Sequence, residues 1–162
     1  SAEMLEATAL GAQANQLMLT AGTTSIVVRL VDGQYPNYGQ VIPAKFDRSV
    51  AVNTSALIGG LRRAELVAGD RASMVKLEVA NNTLMITAKS DVTGNAYEEL
   101  EVEQTGDDLT IAFNARYLQE ALQNVRAEQV AFEFSGPLSP GVMKPVGDPG
   151  YVHVIMPVRT PS

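Results

Sequence analysis

The single histidine, His153, is the side chain best suited to proton transfer near neutral pH. No serine or cysteine stands near it in the chain to act as a nucleophile, so a structural role competes with a catalytic one. Cysteine is absent altogether, which removes disulfides, thiolate nucleophiles and zinc–thiolate sites. Glu98, Glu99 and Glu101 form an acidic run, and Asp107-Asp108 a second pair. Paired carboxylates that do acid–base work need a buried pocket; this run reads better as a solvated or interface-forming strand edge. Gly59-Gly60, Gly94 and the glycines at 147 and 150 lack the spacing of a phosphate-binding loop. One histidine and dispersed acids do not make a closed metal site. Catalytic residues, metals and cofactors are therefore all expected to be none.

Basic residues offer a different chemistry. The chain has 12 Lys plus Arg against 18 Asp plus Glu, a formal net charge of −6, which argues against gripping nucleic acid by bulk charge. A local basic face remains open to it. Arg62, Arg63, Arg116 and Arg126 fall on two helical segments, with Gln119, Glu120 and Gln123 beside them. They read either as solvated helix positions or as a mildly basic surface.

The stretch from Tyr151 to Thr160 is apolar on both faces of a strand: Tyr151 and Ile155 point one way, Val152, Val154 and Met156 the other. Covering one core requires apolar residues only at alternate positions. The surplus face calls for a further partner, and so for binding.

The elements that must position these residues are legible from pattern. At 162 residues, 46% hydrophobic and 19% charged, the composition is that of an ordinary globular chain with one good core. No run is long enough to span a bilayer and no signal peptide is visible, so a cytoplasmic location without membrane contact is expected. Residues 3–29 read as a hairpin, with Met4 and Leu5, a turn about Gly11 and Asn15, then Leu17, Leu19 and the β-branched run to Arg29. The first ten residues could equally be helical. Pro36 and Pro43 restrict their predecessors and predict an extended connector that crosses between domains.

From Phe46 a pattern appears twice. Strand Ser49–Val52, cap Asn53 or Thr54, and a helix with Leu57, Leu61 and Ala64 reaching about Val67 precede three strands. Those strands centre on Leu77, on Ile86 across an Asn81-Asn82 turn, and on residues 97–102 after Gly94-Asn95. Gly59-Gly60 within the helix costs roughly 1 kcal/mol each against alanine, so close packing is expected there. Strand Leu109–Phe113, cap Asn114 and a helix with Leu118, Leu122 and Val125 then repeat the first copy at one constant offset. Strands about Phe132, from Gly141 to Val146 and from Tyr151 to Val158 complete it. The expected fold is α+β: a duplicated βαβββ unit whose two helices pack side by side on antiparallel sheet.

Four segments carry a family resemblance: the connector Leu30–Tyr38, Phe113-Asn114-Ala115-Arg116-Tyr117-Leu118, the ending Ile155-Met156-Pro157-Val158-Arg159, and the duplicated unit itself. Together they resemble the bacterial DNA sliding clamp (DNA-clamp fold), the β subunit of DNA polymerase III and its processivity factor, over essentially the whole chain. The resemblance implies a non-enzymatic scaffold of DNA replication. Subunits of that family have three domains, and two of them close head to tail as a homodimer around duplex DNA, which they hold non-specifically. Residues 1–43 would be the last hairpin of a middle domain plus the interdomain connector, residues 44–162 a complete C-terminal domain, and the chain a C-terminal fragment.

By the same resemblance, the polymerase III α subunit, the clamp loader and repair polymerases would dock a short peptide motif in a groove. Its matching positions are Pro36, Gln40 and Val41, where Gln40 departs from the arginine some members carry, then Asn114, Tyr117, Leu138 and Pro140, and Val154, Ile155, Met156, Pro157, Val158 and Arg159. Leu66, Val67, Glu98 and Glu99 would match the subunit interface. Arg62, Arg63, Arg116 and Arg126 would face the DNA channel, where contact is phosphate-directed and sequence-blind. Two readings compete with the scaffold: a self-associating structural module driven by exposed apolar surface, and a hydrolase that uses His153.

Overall fold

The computed structural model describes residues 6–8, 15–35, 37–69, 73–90, 92–148 and 150–159. The chain divides into two compact units, Ser1–Asn37 and Tyr38–Ser162. In the first, β1 (Glu6–Thr8), β2 (Gln16–Ala21), with Leu17-Met18-Leu19 in a row, and β3 (Thr24–Arg29), with its β-branched run, form an antiparallel sheet in that order. The expected hairpin thus has a third strand, while Met4, Leu5 and Gly11 lie outside the described residues. Every residue of β3 is exposed.

The connector is not extended throughout. Tyr38–Gln40 forms one 3-10 turn, in which the Val41 amide donates to the Tyr38 carbonyl at 3.0 Å. Pro43 restricts only the residue before it, so residues 38–40 keep access to helical dihedrals.

In the second unit the order is β4 (Arg48–Asn53), α1 (Thr54–Ala68), β5 (Met74–Ala80), β6 (Thr83–Ser90) and β7 (Gly94–Glu101). A short β8 (Glu103–Thr105) leads to β9 (Leu109–Asn114), α2 (Ala115–Leu122), β10 (Gln129–Phe134), β11 (Gly141–Pro145) and β12 (His153–Ile155). The duplicated unit is present, and each helix begins on its asparagine. The Asn53 side chain accepts from the Ala56 amide, and that of Asn114 from the Arg116 and Tyr117 amides, so both satisfy orphan helix donors.

The strands do not sort by repeat. One sheet runs β7-β6-β5-β9 and the other β12-β11-β10-β4-β8, so each repeat lends its first strand to the sheet of the other. β4 pairs with β10 from Asn53 opposite Gln129 to Arg48 opposite Phe134. β9 pairs with β5 from Leu109 opposite Val79 to Asn114 opposite Met74. Both helices share one core with both sheets, in which Leu57, Leu61, Leu118, Leu122, Phe113, Phe134 and Met143 are buried.

Three local expectations change. α2 ends at Leu122, and Val125 reaches the interior through a tight turn in which its amide donates to the Leu122 carbonyl at 3.0 Å. Gln119, expected on the open helix face, is buried because α1 packs there, and its amide nitrogen donates to Glu65 Oε2 at 2.7 Å. The terminal strand shrinks to β12. Close packing holds for Gly60, where a Cβ would sit 3.1 Å from Ile86 Cδ1, whereas Gly59 meets only the Arg63 guanidinium. No helix among the described residues is long and apolar enough to cross a membrane.

Gly106 carries the passage from β8 to β9 at φ +85°, and a Cβ there would lie 2.1 Å from the Asp47 carbonyl oxygen. Gly106→Ala is therefore expected to destabilise the fold by more than the ~1–2 kcal/mol of a left-handed residue alone, read as a lower urea midpoint with an unchanged slope.

Candidate functional site

Ile155 closes the core at the end of β12, opposite Gly141. Past it the chain leaves its sheet and reaches the other one, where the Val158 amide donates to the Ala112 carbonyl of β9 at 2.8 Å. This crossing segment stands between two hollows. The larger, of about 710 Å³, is lined by Val154, Ile155, Met156, Pro157 and Val158 on one side. Asn114, Tyr117, Glu120, Ala121, Asn124, Tyr151 and His153 complete it. The smaller, of about 460 Å³, is bounded by Lys76, Thr110, Ile111, Ala112, Pro137, Leu138, Val158 and Arg159.

Of the expected peptide-site positions, Asn114, Tyr117, Val154, Ile155, Met156, Pro157 and Val158 meet at the first hollow, and Leu138, Val158 and Arg159 at the second. Pro140 is half-buried and lines neither. Gln40 and Val41 belong to the exposed 3-10 turn and its exit and also line neither. Pro36 lies outside the described residues. Met156 and Leu138 leave 61% and 69% of their surfaces in water, unlike core residues of their kind.

Polar groups of the larger hollow are partly committed. The Asn114 side-chain oxygen is taken by the helix cap, which leaves its amide NH₂ to donate outward. The Tyr151 hydroxyl donates to the Ala121 carbonyl at 3.1 Å, and burial raises its pKa. Burial pushes His153 below the ordinary imidazole value, because a charged ring would lose hydration there. Among the described residues, neither serine nor threonine lines this hollow beside His153.

Sequence reasoning missed Glu120, Ala121, Asn124, Tyr151 and His153 as lining residues. Helical spacing held the signal for three of them, since Glu120, Ala121 and Asn124 follow Tyr117 at the intervals that share one helix face.

The arginines separate into engaged and open. Arg63 makes a two-pronged contact with Glu98, Nε to Oε1 at 2.7 Å and Nη2 to Oε2 at 2.8 Å. That pair lowers the Glu98 pKa and raises that of Arg63. One residue of the expected channel set is thus locked to one of the expected interface set. Arg116 lies 3.8 Å from Glu65. Arg62 and Arg126 are exposed and form no salt bridge with a described residue. Leu66 is 80% exposed, Val67 is half-buried with its carbonyl accepting from the Thr93 hydroxyl at 2.6 Å, and Glu99 accepts from the Tyr97 hydroxyl at 2.7 Å.

Comparison with known proteins matches residues 39–159 to the family model of the DNA polymerase III beta subunit, C-terminal domain. The beta sliding clamp of Synechococcus elongatus is 33% identical over 159 residues, which take in 97% of this chain and 42% of that protein. The solved beta sliding clamp of C. crescentus superposes with a TM-score of 0.90 at 26% identity, over 99% of this chain and 42% of that one. A sliding clamp from Pseudomonas aeruginosa bound to griselimycin gives 0.83 at 29% identity, over 90% of this chain and 40% of that one. The chain spans less than half the length of the curated relatives it matches.

Because the folded His153 pKa is depressed, its contribution to stability is present above the unfolded value of about 6.5 and is lost as pH falls through the folded value. An NMR titration of the His153 ring should give a midpoint below 6.5. A midpoint at or above that value would mean that the ring is not desolvated as described.

Proposed function

The chain belongs to the family of the DNA polymerase III β subunit, the bacterial DNA sliding clamp, and on that premise we propose that it docks short peptide motifs of replication and repair proteins. The supporting observation is the pair of hollows flanking residues 156–159, with Met156 and Leu138 held in water beside them. Apolar surface left exposed forgoes about 25 cal/mol per Å², which a bound apolar side chain would recover. Asn114 and Tyr117 supply the few polar handles that fix the orientation of such a ligand. Its expected ligands are the replicative polymerase α subunit, the clamp loader and repair polymerases, and the chain has no catalysis of its own.

The wider assignment follows the same family. Residues 1–43 are the end of a middle domain with its connector, and residues 44–162 a C-terminal domain. Within a full-length homodimeric ring, Leu66, Val67, Glu98 and Glu99 meet the neighbouring subunit. The arginines face duplex DNA in the cytoplasm. Arg62 and Arg126 are the ones open to phosphate, since Arg63 is held by Glu98.

A self-associating module is the second reading, favoured by the exposure of Ile26, Val27 and Val28 on β3. Sedimentation velocity separates the two: a docking module stays at the same mass across concentration and binds peptide, whereas self-association raises the mass with concentration.

The docking assignment is tested by titrating a fluorescent clamp-binding peptide. Met156→Ala combined with Leu138→Ala should weaken binding at least tenfold, as truncation of anchor contacts worth about 2 kcal/mol would do. Both side chains are exposed, so the fold itself should be little affected. Unchanged affinity would remove these residues from the site.

A further inference from the structure

The lining of the larger hollow divides by element. The terminal segment supplies apolar surface through Met156, Pro157 and Val158, while α2 and its exit turn supply Tyr117, Glu120 and Asn124. Among the described residues Glu120 is the one carboxylate in this lining, and neither lysine nor arginine joins it. Other acids near the helices are spoken for: Glu98 by Arg63, and Glu65 by Gln119 and Arg116. Glu120 has no such partner among the described residues. Its natural helical partner, Arg116 one turn earlier, leans instead towards Glu65 at 3.8 Å.

What surrounds Glu120 also suits a cation. The Asn124 amide nitrogen donates to the Glu120 backbone carbonyl at 3.1 Å, and its side-chain oxygen remains available as an acceptor beside the second N–H. Tyr117 and Tyr151 add two phenol rings, whose faces attract ammonium and guanidinium groups. Burial disfavours the charged form of His153, which lessens its repulsion of a positive ligand. A carboxylate, an amide oxygen and two aromatic faces beside an apolar wall form a combination that accepts a basic side chain next to apolar ones.

Building on the docking assignment above, we propose that the hollow selects peptides carrying a lysine or arginine beside their apolar anchors, with Glu120 as the counter-ion. The apolar residues of the ligand lie along Met156 to Val158 and its cation turns to α2. Affinity comes mainly from the former and discrimination between partners from the latter.

The test uses three fluorescein-labelled peptides that share two adjacent leucines and differ only in the residues on either side, which are lysine, alanine or glutamate. Fluorescence anisotropy at low salt should rank them lysine, alanine, glutamate, with lysine ahead of alanine by about threefold to fivefold, the strength of a part-exposed ion pair. The lead should shrink as salt is added. Glu120→Gln should abolish it and Glu120→Lys should reverse the order. Glu101→Gln, the same change of charge on an exposed residue outside the hollow, should preserve it. A lysine lead that survives Glu120→Gln would overturn the proposal by showing that only the net charge of the chain is felt. Equal binding of the lysine and alanine peptides would overturn it while leaving docking intact. If none of the three bound, docking to this hollow would fall, and the selectivity with it.

Discussion

The exchange of first strands between the two repeats is the constraint on which the rest of the molecule depends. β4 completes the sheet of β10, and β9 that of β5. The start of each helix is tied across in the same sense. The Thr54 amide donates to the Glu128 carbonyl at 2.8 Å, and the Ala115 amide to the Ser73 carbonyl at 2.6 Å. Each first helical amide, which has no partner within its own helix, is thus satisfied just ahead of the other repeat's strands. Neither repeat can bury its core alone, and the helices come to lie side by side because their leading strands are held in opposite sheets. Docking of the terminal segment inherits this arrangement, since the Val158 amide finds its acceptor on β9.

Electrostatics on such a frame orient more than they stabilise. The Arg63–Glu98 pair is well formed but solvent-exposed, a setting in which water screens ion pairs and leaves them little net effect on stability. Its effect is on the distribution of charge: of the four arginines expected on one face, Arg63 is neutralised in place and Arg116 is drawn towards Glu65, while Arg126 lies beyond the end of α2. What remains of the basic face is Arg62 and Arg126, a local feature on a chain whose formal charge is −6.

Local features were legible in the residues themselves. The asparagine caps, the helical spacing of Leu57 and Leu61 or Leu118 and Leu122, and the alternation of Val75, Leu77 and Val79 each depend on neighbours a few residues away. Strand exchange was not legible, because alternation states which face of a strand is buried and not which strand lies beside it. Val125 misled for a related reason: an apolar residue three positions after Leu122 fits a longer helix as well as a tight exit turn. Gln119 and Glu120 look alike in the sequence, yet α1 buries the first and leaves the second open to the hollow. Met156 and Tyr117 were expected at the candidate groove from family motifs, whereas His153 and Tyr151 line the same hollow only through the fold.

The two-sided apolarity of the last segment has a backbone cause. β12 pairs with β11 through Ile155 opposite Gly141, and the next pair in register would set Met156 against Pro140. Pro140 has no N–H to give, and Pro157 has none to continue with. The ladder therefore stops between two prolines after three residues, and the Val158 amide turns to Ala112 instead. Released from one sheet and held by the other at this one backbone bond, the segment pairs with no strand along its length among the described residues. Its side chains are left facing the hollows on either side, with Val158 lining both. An unbroken strand through residues 151–158 would have paired this backbone along its length; two prolines turn it into the wall between two hollows.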